Sequence, residues 1–148
     1  MSDLRDLYQE VIIDHNRNPR NFSKLENCTH EAEGFNPLCG DKLKLYLIIK
    51  NDLIEKINFE GSGCAISTAS ASLMTEHLLG KTVEDAEKMF KLFHDFMITD
   101  ISAVDPLLGK LKVLAGVKEY PARVKCATLA WHALEAALHQ DHSAVSTE

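Results

Sequence analysis

The hydrophobic pattern of this chain changes its period at Gly61-Ser62-Gly63, and that change sets the expected fold class. Upstream, apolar and polar residues alternate along residues 42–50, which is typical of a strand with one buried face. A turn at Asn51-Asp52 leads into a second strand over residues 53–60, and a weaker pattern predicts a third strand near residues 30–35. This region therefore predicts a small three-stranded antiparallel sheet.

Helices are predicted on both sides of the sheet region, because apolar residues recur there every three to four positions and capping residues or prolines mark the starts. We assign these apolar stripes to core packing rather than to a cofactor. The expected fold class is α+β: a three-stranded antiparallel sheet packed by about five helices. One domain should span residues 1–139, followed by a flexible tail at 140–148. The helices are expected at residues 4–16, 64–79, 82–97 and 105–116, and from Pro121 to about residue 138.

The composition excludes several classes of function. A chain of 148 residues is long enough for one domain with a core. Its net charge of −6 argues against a nucleic-acid partner, since phosphate binding needs positive charge. No apolar run approaches the roughly 20 residues of a membrane helix, and the acidic start is unlike a secretory signal. We therefore expect a cytoplasmic protein without a membrane partner.

The chain has four cysteines, which the cytoplasm would keep reduced rather than paired in disulfides. No two of them form a C-x-x-C pair, so their spacing alone decides little. Two interpretations remain open at this point: inert buried thiols, or metal and sulfur chemistry. The four are Cys28, Cys39, Cys64 and Cys126.

Cys39 and Asp41 lie in a turn that leads into the strand at residue 42. In extended backbone, positions i and i+2 point to the same side, so these two side chains can face one centre. Gly40 between them lets the backbone bend tightly.

The other two cysteines of interest lie near helix starts. Cys64 follows the glycines and opens a helix, whose N-terminal amides stabilise a thiolate. Cys126 follows Arg123 and Lys125 in the first turns of the last helix, and nearby cations also favour the thiolate.

Three sequence blocks, in this order, carry a family resemblance: N-P-L-C-G-D at 36–41, G-S-G-C-A-I-S at 61–67 and R-V-K-C-A at 123–127. With them the chain resembles the IscU, SufU and NifU N-terminal family of iron–sulfur cluster assembly proteins, over nearly its whole length. It is most similar to the SufU branch, because Lys125 stands where the IscU branch has a histidine before the third cysteine.

The resemblance implies a metal site with Cys39, Asp41, Cys64 and Cys126 as its ligands. Such a site would hold Zn²⁺ in an S₃O set, with iron or a [2Fe–2S] cluster as the alternative occupant. Three thiolates, one carboxylate and Zn²⁺ sum to −2, so Arg123 is expected to support the site with its positive charge.

The implied function is iron–sulfur cluster biogenesis, and three alternatives stay open. The first is a zinc-bound sulfur acceptor, at most a sulfurtransferase, in which Cys39 takes persulfide sulfur from a cysteine desulfurase of the SufS type. It would pass the sulfur to downstream assembly proteins or apoprotein recipients. The second is a scaffold on which a [2Fe–2S] cluster is assembled and transferred. In the third, the metal is purely structural in a protein-interaction module.

Cys28 matches none of the family's ligand positions, although the neighbouring Cys28-Thr29-His30 could suggest a second site. An inert thiol is the favoured interpretation. His15, His77, His94 and His132 are expected in ordinary surface or core roles, because none has a ligand partner at helical spacing.

Overall fold

The computed structural model describes residues 4–99, 106–139 and 145–146. Its sheet contains β1 (His30–Asn36), β2 (Asp41–Lys50) and β3 (Leu53–Ser62), with β2 in the middle and antiparallel to both neighbours. This confirms the predicted three-stranded sheet. A two-residue strand, β4 (Val145–Ser146), adds to β1 in parallel. The rest of the predicted tail lies outside the described residues.

The turn at Asn51-Asp52 follows from local chemistry. Both residues adopt positive φ, 52° and 62°, the left-handed conformation that a two-residue hairpin requires and that Asn and Asp tolerate well. The flanking pair Lys50–Leu53 closes the hairpin. The pairing register is therefore defined at this end of β2.

The described residues contain α1 (Leu4–Arg17), α2 (Ala65–Leu78), α3 (Val83–Ile98), a 3₁₀ segment (Pro106–Glu119) and α4 (Pro121–Leu138). These five helices confirm the α+β prediction. The 3₁₀ segment differs from the predicted regular helix, because Gly109 at φ 52° and ψ −129° interrupts it. Its predicted first residue, Asp105, lies outside the described residues. None of these helices combines the length and apolarity that crossing a membrane would need.

The core lies between the inner face of the sheet and the helices. Leu45 and Leu47 of β2 are fully buried, and Trp131 of α4 stacks on Phe93 of α3 with ring centroids 4.7 Å apart. The apolar stripe of α3 is thus core, as expected from its spacing.

Helix α2 owes its central position to small side chains. Alanine and serine make up most of its buried residues, which lets α4 approach closely. Ser70 Oγ donates to the Ala127 carbonyl at 2.6 Å, so the polar hydroxyl is satisfied inside the core. This hydrogen bond also brings Cys64 and Cys126 to the same end of the molecule, because Cys64 lies close in sequence to Ser70 and Cys126 is adjacent to Ala127.

Helix α1 is attached to α2 through a buried histidine. His15 is only 1% exposed, and its Nδ1 lies 2.7 Å from Ser72 Oγ. The same oxygen accepts the Arg20 backbone N–H at 2.8 Å and can donate its own proton to a neutral imidazole. Burial lowers the pKa of His15, and the nearby Arg20 lowers it further. The contact therefore suits the neutral ring.

We expect the free energy of unfolding to fall as the pH drops below about 6.5, the ordinary pKa of histidine. Burial lowers the pKa of His15, His77 and His132 in the folded chain, so on acidification the unfolded chain binds these protons first. The stability that these neutral histidines contribute is fully present above that pH and is lost progressively below it. Urea unfolding across this range measures the effect. His15→Gln should reduce the pH dependence, and an unaltered dependence in this variant would contradict the assignment.

Candidate metal centre

The hairpin between β1 and β2 carries two of the predicted ligands. Asn36 and Asp41 form its closing cross-strand pair, and the Cys39 backbone N–H donates to the Asn36 carbonyl at 3.3 Å. Gly40 has φ +70°, which glycine adopts without strain. Cys39 and Asp41 thus converge through a tight turn, and not through the extended i, i+2 geometry that the sequence suggested.

Cys64 is the N-cap of α2. Its Sγ accepts the Ser67 backbone N–H at 3.4 Å, and its own backbone N–H donates to Asp41 Oδ1 at 2.7 Å. Gly63 permits this approach, since a Cβ at that position would lie 2.6 Å from the same carboxylate oxygen. The helix N-terminus therefore presents its partial positive charge to the Asp41 carboxylate and the Cys64 sulfur.

Cys126 completes the convergence from the first turns of α4. It is fully buried, and its Sγ lies 3.3 Å from Cys39 Sγ, although the two residues are 87 positions apart. Cys39, Asp41 and Cys126 offer three ligand atoms that all lie within 4.8 Å of one another. Cys64 Sγ lies 4.0 Å from Asp41 Oδ2, at the edge of this group. Three of the four predicted ligands therefore converge, and Cys64 lies beside them next to Asp41.

A family model describing the NifU-like N-terminal domain matches residues 7–127 of this chain. The chain belongs to this family. The match includes all four candidate ligands and agrees with the resemblance inferred from the three sequence blocks.

Similar proteins agree on the family. The NifU-like chain is 45% identical over 134 residues to the zinc-dependent sulfurtransferase SufU of Bacillus subtilis, covering 90% of each chain. It is 38% identical over 144 residues to the iron–sulfur cluster assembly scaffold protein IscU of Streptococcus pyogenes, covering 97% of this chain and 90% of the relative. A solved structure from Fervidobacterium islandicum, a putative iron–sulfur cluster assembly scaffold protein for the SUF system, is similar with a TM-score of 0.84 and 38% identity. That similarity covers 92% of this chain and 99% of the other.

A protein with lower sequence identity also has this fold. The N-terminal part of a NifU-like protein from Brucella abortus has a TM-score of 0.83 at 22% identity, covering 94% of this chain and 96% of that one. The confirmed α+β architecture is thus that of the NifU-like domain family.

The site gathers three thiols and a carboxylate in a partly buried place. Burial raises the pKa of the Cys126 thiol, and hydrogen bonding with Cys39, Asp41 and Cys64 raises it further, so these effects outweigh the nearby cations that were expected to favour the thiolate. Arg123 brings positive charge, with Nη1 3.7 Å from Cys39 Sγ. Hydrogen bonding to Cys126 and the charges of Cys39 and Cys64 raise the pKa of its guanidinium. The predicted supporting role of Arg123 therefore has a geometric basis.

The donor set fits Zn²⁺, because three sulfurs and one carboxylate oxygen are ligands that zinc takes in four-coordinate sites. Two sulfurs that each lie about 2.3 Å from one tetrahedral ion are about 3.8 Å apart. Cys39 Sγ and Cys126 Sγ are 3.3 Å apart, about 0.5 Å less than that span. Cys39, Asp41, Cys64 and Cys126 would hold the ion, and thiolate-rich sites also accept iron.

Asn36 is a residue of this centre that the sequence analysis did not single out. Its side-chain amide is fully buried and donates to Asp41 Oδ2 at 3.3 Å and to Cys126 Sγ at 3.4 Å. The available signal was its position as the first residue of the N-P-L-C-G-D block. An asparagine before a proline is otherwise typical of an ordinary turn.

The remaining cysteine and the histidines form no metal-ligating group within the ranges that the structure describes. Cys28 Sγ donates to the Glu31 carboxylate at 3.4 Å, and burial raises the pKa of its thiol. A protonated thiol is a poor nucleophile, which agrees with the expected inert role. His132 packs against Phe90 and His94, with ring centroids 5.7 and 5.5 Å away.

Proposed function

We propose that this NifU-like chain is an iron–sulfur cluster biogenesis protein that accepts persulfide sulfur on Cys39. In this proposal Asp41, Cys64 and Cys126 keep Zn²⁺ in place. The observation that carries it is an asymmetry among the converging ligands. Cys126 is fully buried, whereas Cys39 and Cys64 are both half-buried. Cys64 Sγ accepts a backbone N–H as the cap of α2, while Cys39 lies on a hairpin tip beside Leu38, which is 63% exposed. Cys39 is therefore the sulfur that an incoming donor can reach without disturbing a helix cap.

The chemistry is a displacement on sulfur. The Cys39 thiolate attacks the outer sulfur of a persulfide on the donor's cysteine. The donor's S–S bond breaks, its cysteine leaves as a thiolate, and a new S–S bond forms on Cys39, with no net oxidation. When bound, Zn²⁺ supplies deprotonation of its coordinating thiols near neutral pH. Arg123 stabilises the anionic sulfur from its position 3.7 Å away.

The donor that suits this step is a cysteine desulfurase, which we propose to be of the SufS type on the strength of the 45% identity to a SufU. Arg123 also lines a groove of about 670 Å³ with Tyr8, Ile12 and Tyr120. A partner on this face would contact the groove and the hairpin tip together. The recipients would be downstream assembly proteins or apoproteins, in the cytoplasm, where the thiols stay reduced.

A scaffold role is the second candidate, because the chain is also 38% identical to an IscU scaffold protein and its thiols suit a [2Fe–2S] cluster. A purely structural metal is less suitable, since structural zinc sites are closed whereas Cys39 is half-buried at the surface.

Metal analysis and anaerobic reconstitution test the proposal. We expect about one tightly bound zinc per purified chain, as for a four-ligand site, and only loosely held iron after incubation with iron and sulfide. Metal-free protein should stay folded by circular dichroism but no longer accept sulfur. A stable, visible-absorbing cluster at stoichiometric yield that transfers to an apoprotein would instead establish the scaffold role. Unfolding on metal removal would favour the structural one.

A further inference from the structure

We propose that Asn36 is a positioning residue that holds Asp41 and Cys126 as the fixed half of the metal centre and leaves Cys39 free to react. The inference rests on the proposed function, because it assigns different roles to the ligands of the same centre. It concerns a neutral side chain that coordinates nothing itself.

The Asn36 side-chain amide donates to one atom of each of two candidate ligands. Its Nδ2 lies 3.3 Å from Asp41 Oδ2 and 3.4 Å from Cys126 Sγ. One of these acceptors begins β2 and the other lies in α4. A single amide therefore ties together two elements that are not adjacent in the chain.

The other end of the same amide indicates that packing is not its purpose. Asn36 is fully buried, and within the described part of the chain its Oδ1 has no hydrogen-bond partner. Leaving a buried acceptor unpaired is unfavourable, and an apolar side chain of similar volume would avoid it. We therefore attribute the presence of an amide at this position to the hydrogen bonds that it donates to Asp41 and Cys126.

Cys39 is held differently. Its sulfur accepts a hydrogen bond from Nη1 of the exposed Arg123 at 3.7 Å. Its backbone N–H donates to the Asn36 backbone carbonyl, which any residue at position 36 would provide. No side-chain hydrogen bond from Asn36 to Cys39 occurs among the described contacts. The buried amide thus fixes two ligands directly, while the Cys39 sulfur is contacted by the exposed Arg123 guanidinium and by Cys126 Sγ, 3.3 Å away, and by no group of Asn36.

The test compares zinc affinities of Asn36→Leu and Asn36→Ala with those of the wild type, by competition with a chelator. Asn36→Leu keeps the volume but removes both donors, whereas Asn36→Ala removes both volume and donors. Losing a residue that orients metal ligands costs about 10- to 100-fold in metal affinity, and we expect this from both variants. Asn58→Ala is the matched control, because Asn58 of β3 donates to Ser23 Oγ and not to a candidate ligand. It should bind zinc like the wild type.

Two further readouts separate positioning from folding. The thermal unfolding temperature of metal-free Asn36→Leu should match that of the wild type. The visible spectrum of the Co²⁺-loaded variant should change in band position or intensity, since it reports ligand geometry. Wild-type zinc affinity in Asn36→Leu overturns the inference, and so does a loss confined to Asn36→Ala, because that loss follows volume alone. A wild-type chain that takes up no zinc would overturn the proposed function itself.

Discussion

Replacing Cys39 with alanine is expected to reduce the stimulation of a cysteine desulfurase to the rate of the desulfurase alone. The substitution removes the proposed nucleophile, and no other thiol of the centre combines partial exposure with freedom from a helix cap. Cys126 is fully buried, and Cys64 Sγ is engaged as the cap of α2. A missing nucleophile cannot be replaced by better binding, so the loss should appear in the turnover number rather than in the concentration of acceptor required.

The measurement is sulfide or alanine production by the desulfurase with each variant, together with the mass of the acceptor after exposure to desulfurase and cysteine. Wild-type protein should gain the mass of one sulfur atom, and Cys39→Ala should gain none. Cys28→Ala is the matched control, because Cys28 hydrogen-bonds to Glu31 outside the centre. It should keep full stimulation. Full stimulation by Cys39→Ala would remove Cys39 from the role.

Cys126→Ala should abolish high-affinity zinc binding, with a loss larger than that of any other single cysteine substitution in this chain. Cys126 is the most buried of the sulfurs and contacts both Cys39 and Asn36. Its removal leaves the Asn36 amide with a buried unpaired N–H, which costs about 1–3 kcal/mol, and Ala does not replace the lost thiolate. The fold should persist, because the large buried side chains that pack α4 against the core, Trp131 among them, are unchanged.

Zinc content after dialysis and titration calorimetry measure this loss, and near-ultraviolet circular dichroism checks the core. Cys28→Ala again serves as the control for loss of a thiol alone. Wild-type affinity in a folded Cys126→Ala protein would exclude Cys126 as a ligand. It would also reduce the candidate centre to Cys39, Asp41 and Cys64.

Local elements followed directly from local sequence. Thr82 caps α3 by accepting the Asp85 backbone N–H at 3.0 Å, and Pro121 begins α4, as residue chemistry at helix starts predicts. The exception is the 3₁₀ segment. Its apolar spacing predicted a regular helix, but Gly109 adopts φ 52° and ψ −129° and interrupts it. Glycine adopts positive φ without strain, and the apolar spacing alone did not indicate that it does so here.

The candidate metal centre also has some features that the sequence predicted and others that only the packing of the chain determined. Its four candidate ligands were named from three short blocks through the resemblance to the NifU-like family. The sequence did not predict three features: the burial of Cys126, the partial exposure of Cys39 and the hydrogen bonds of the Asn36 amide. Each depends on how the hairpin, α2 and α4 pack.

The amino-acid order was sufficient for the sheet and the helices, because periodicity, turns and caps act over a few neighbouring residues, and its three blocks indicated the candidate sulfur ligands through the family resemblance. The burial of Cys126 and the partial exposure of Cys39 and Cys64 depended on packing. Sulfurs 87 positions apart lie 3.3 Å from each other only after the core has formed, and short-range preferences carry no information about that distance.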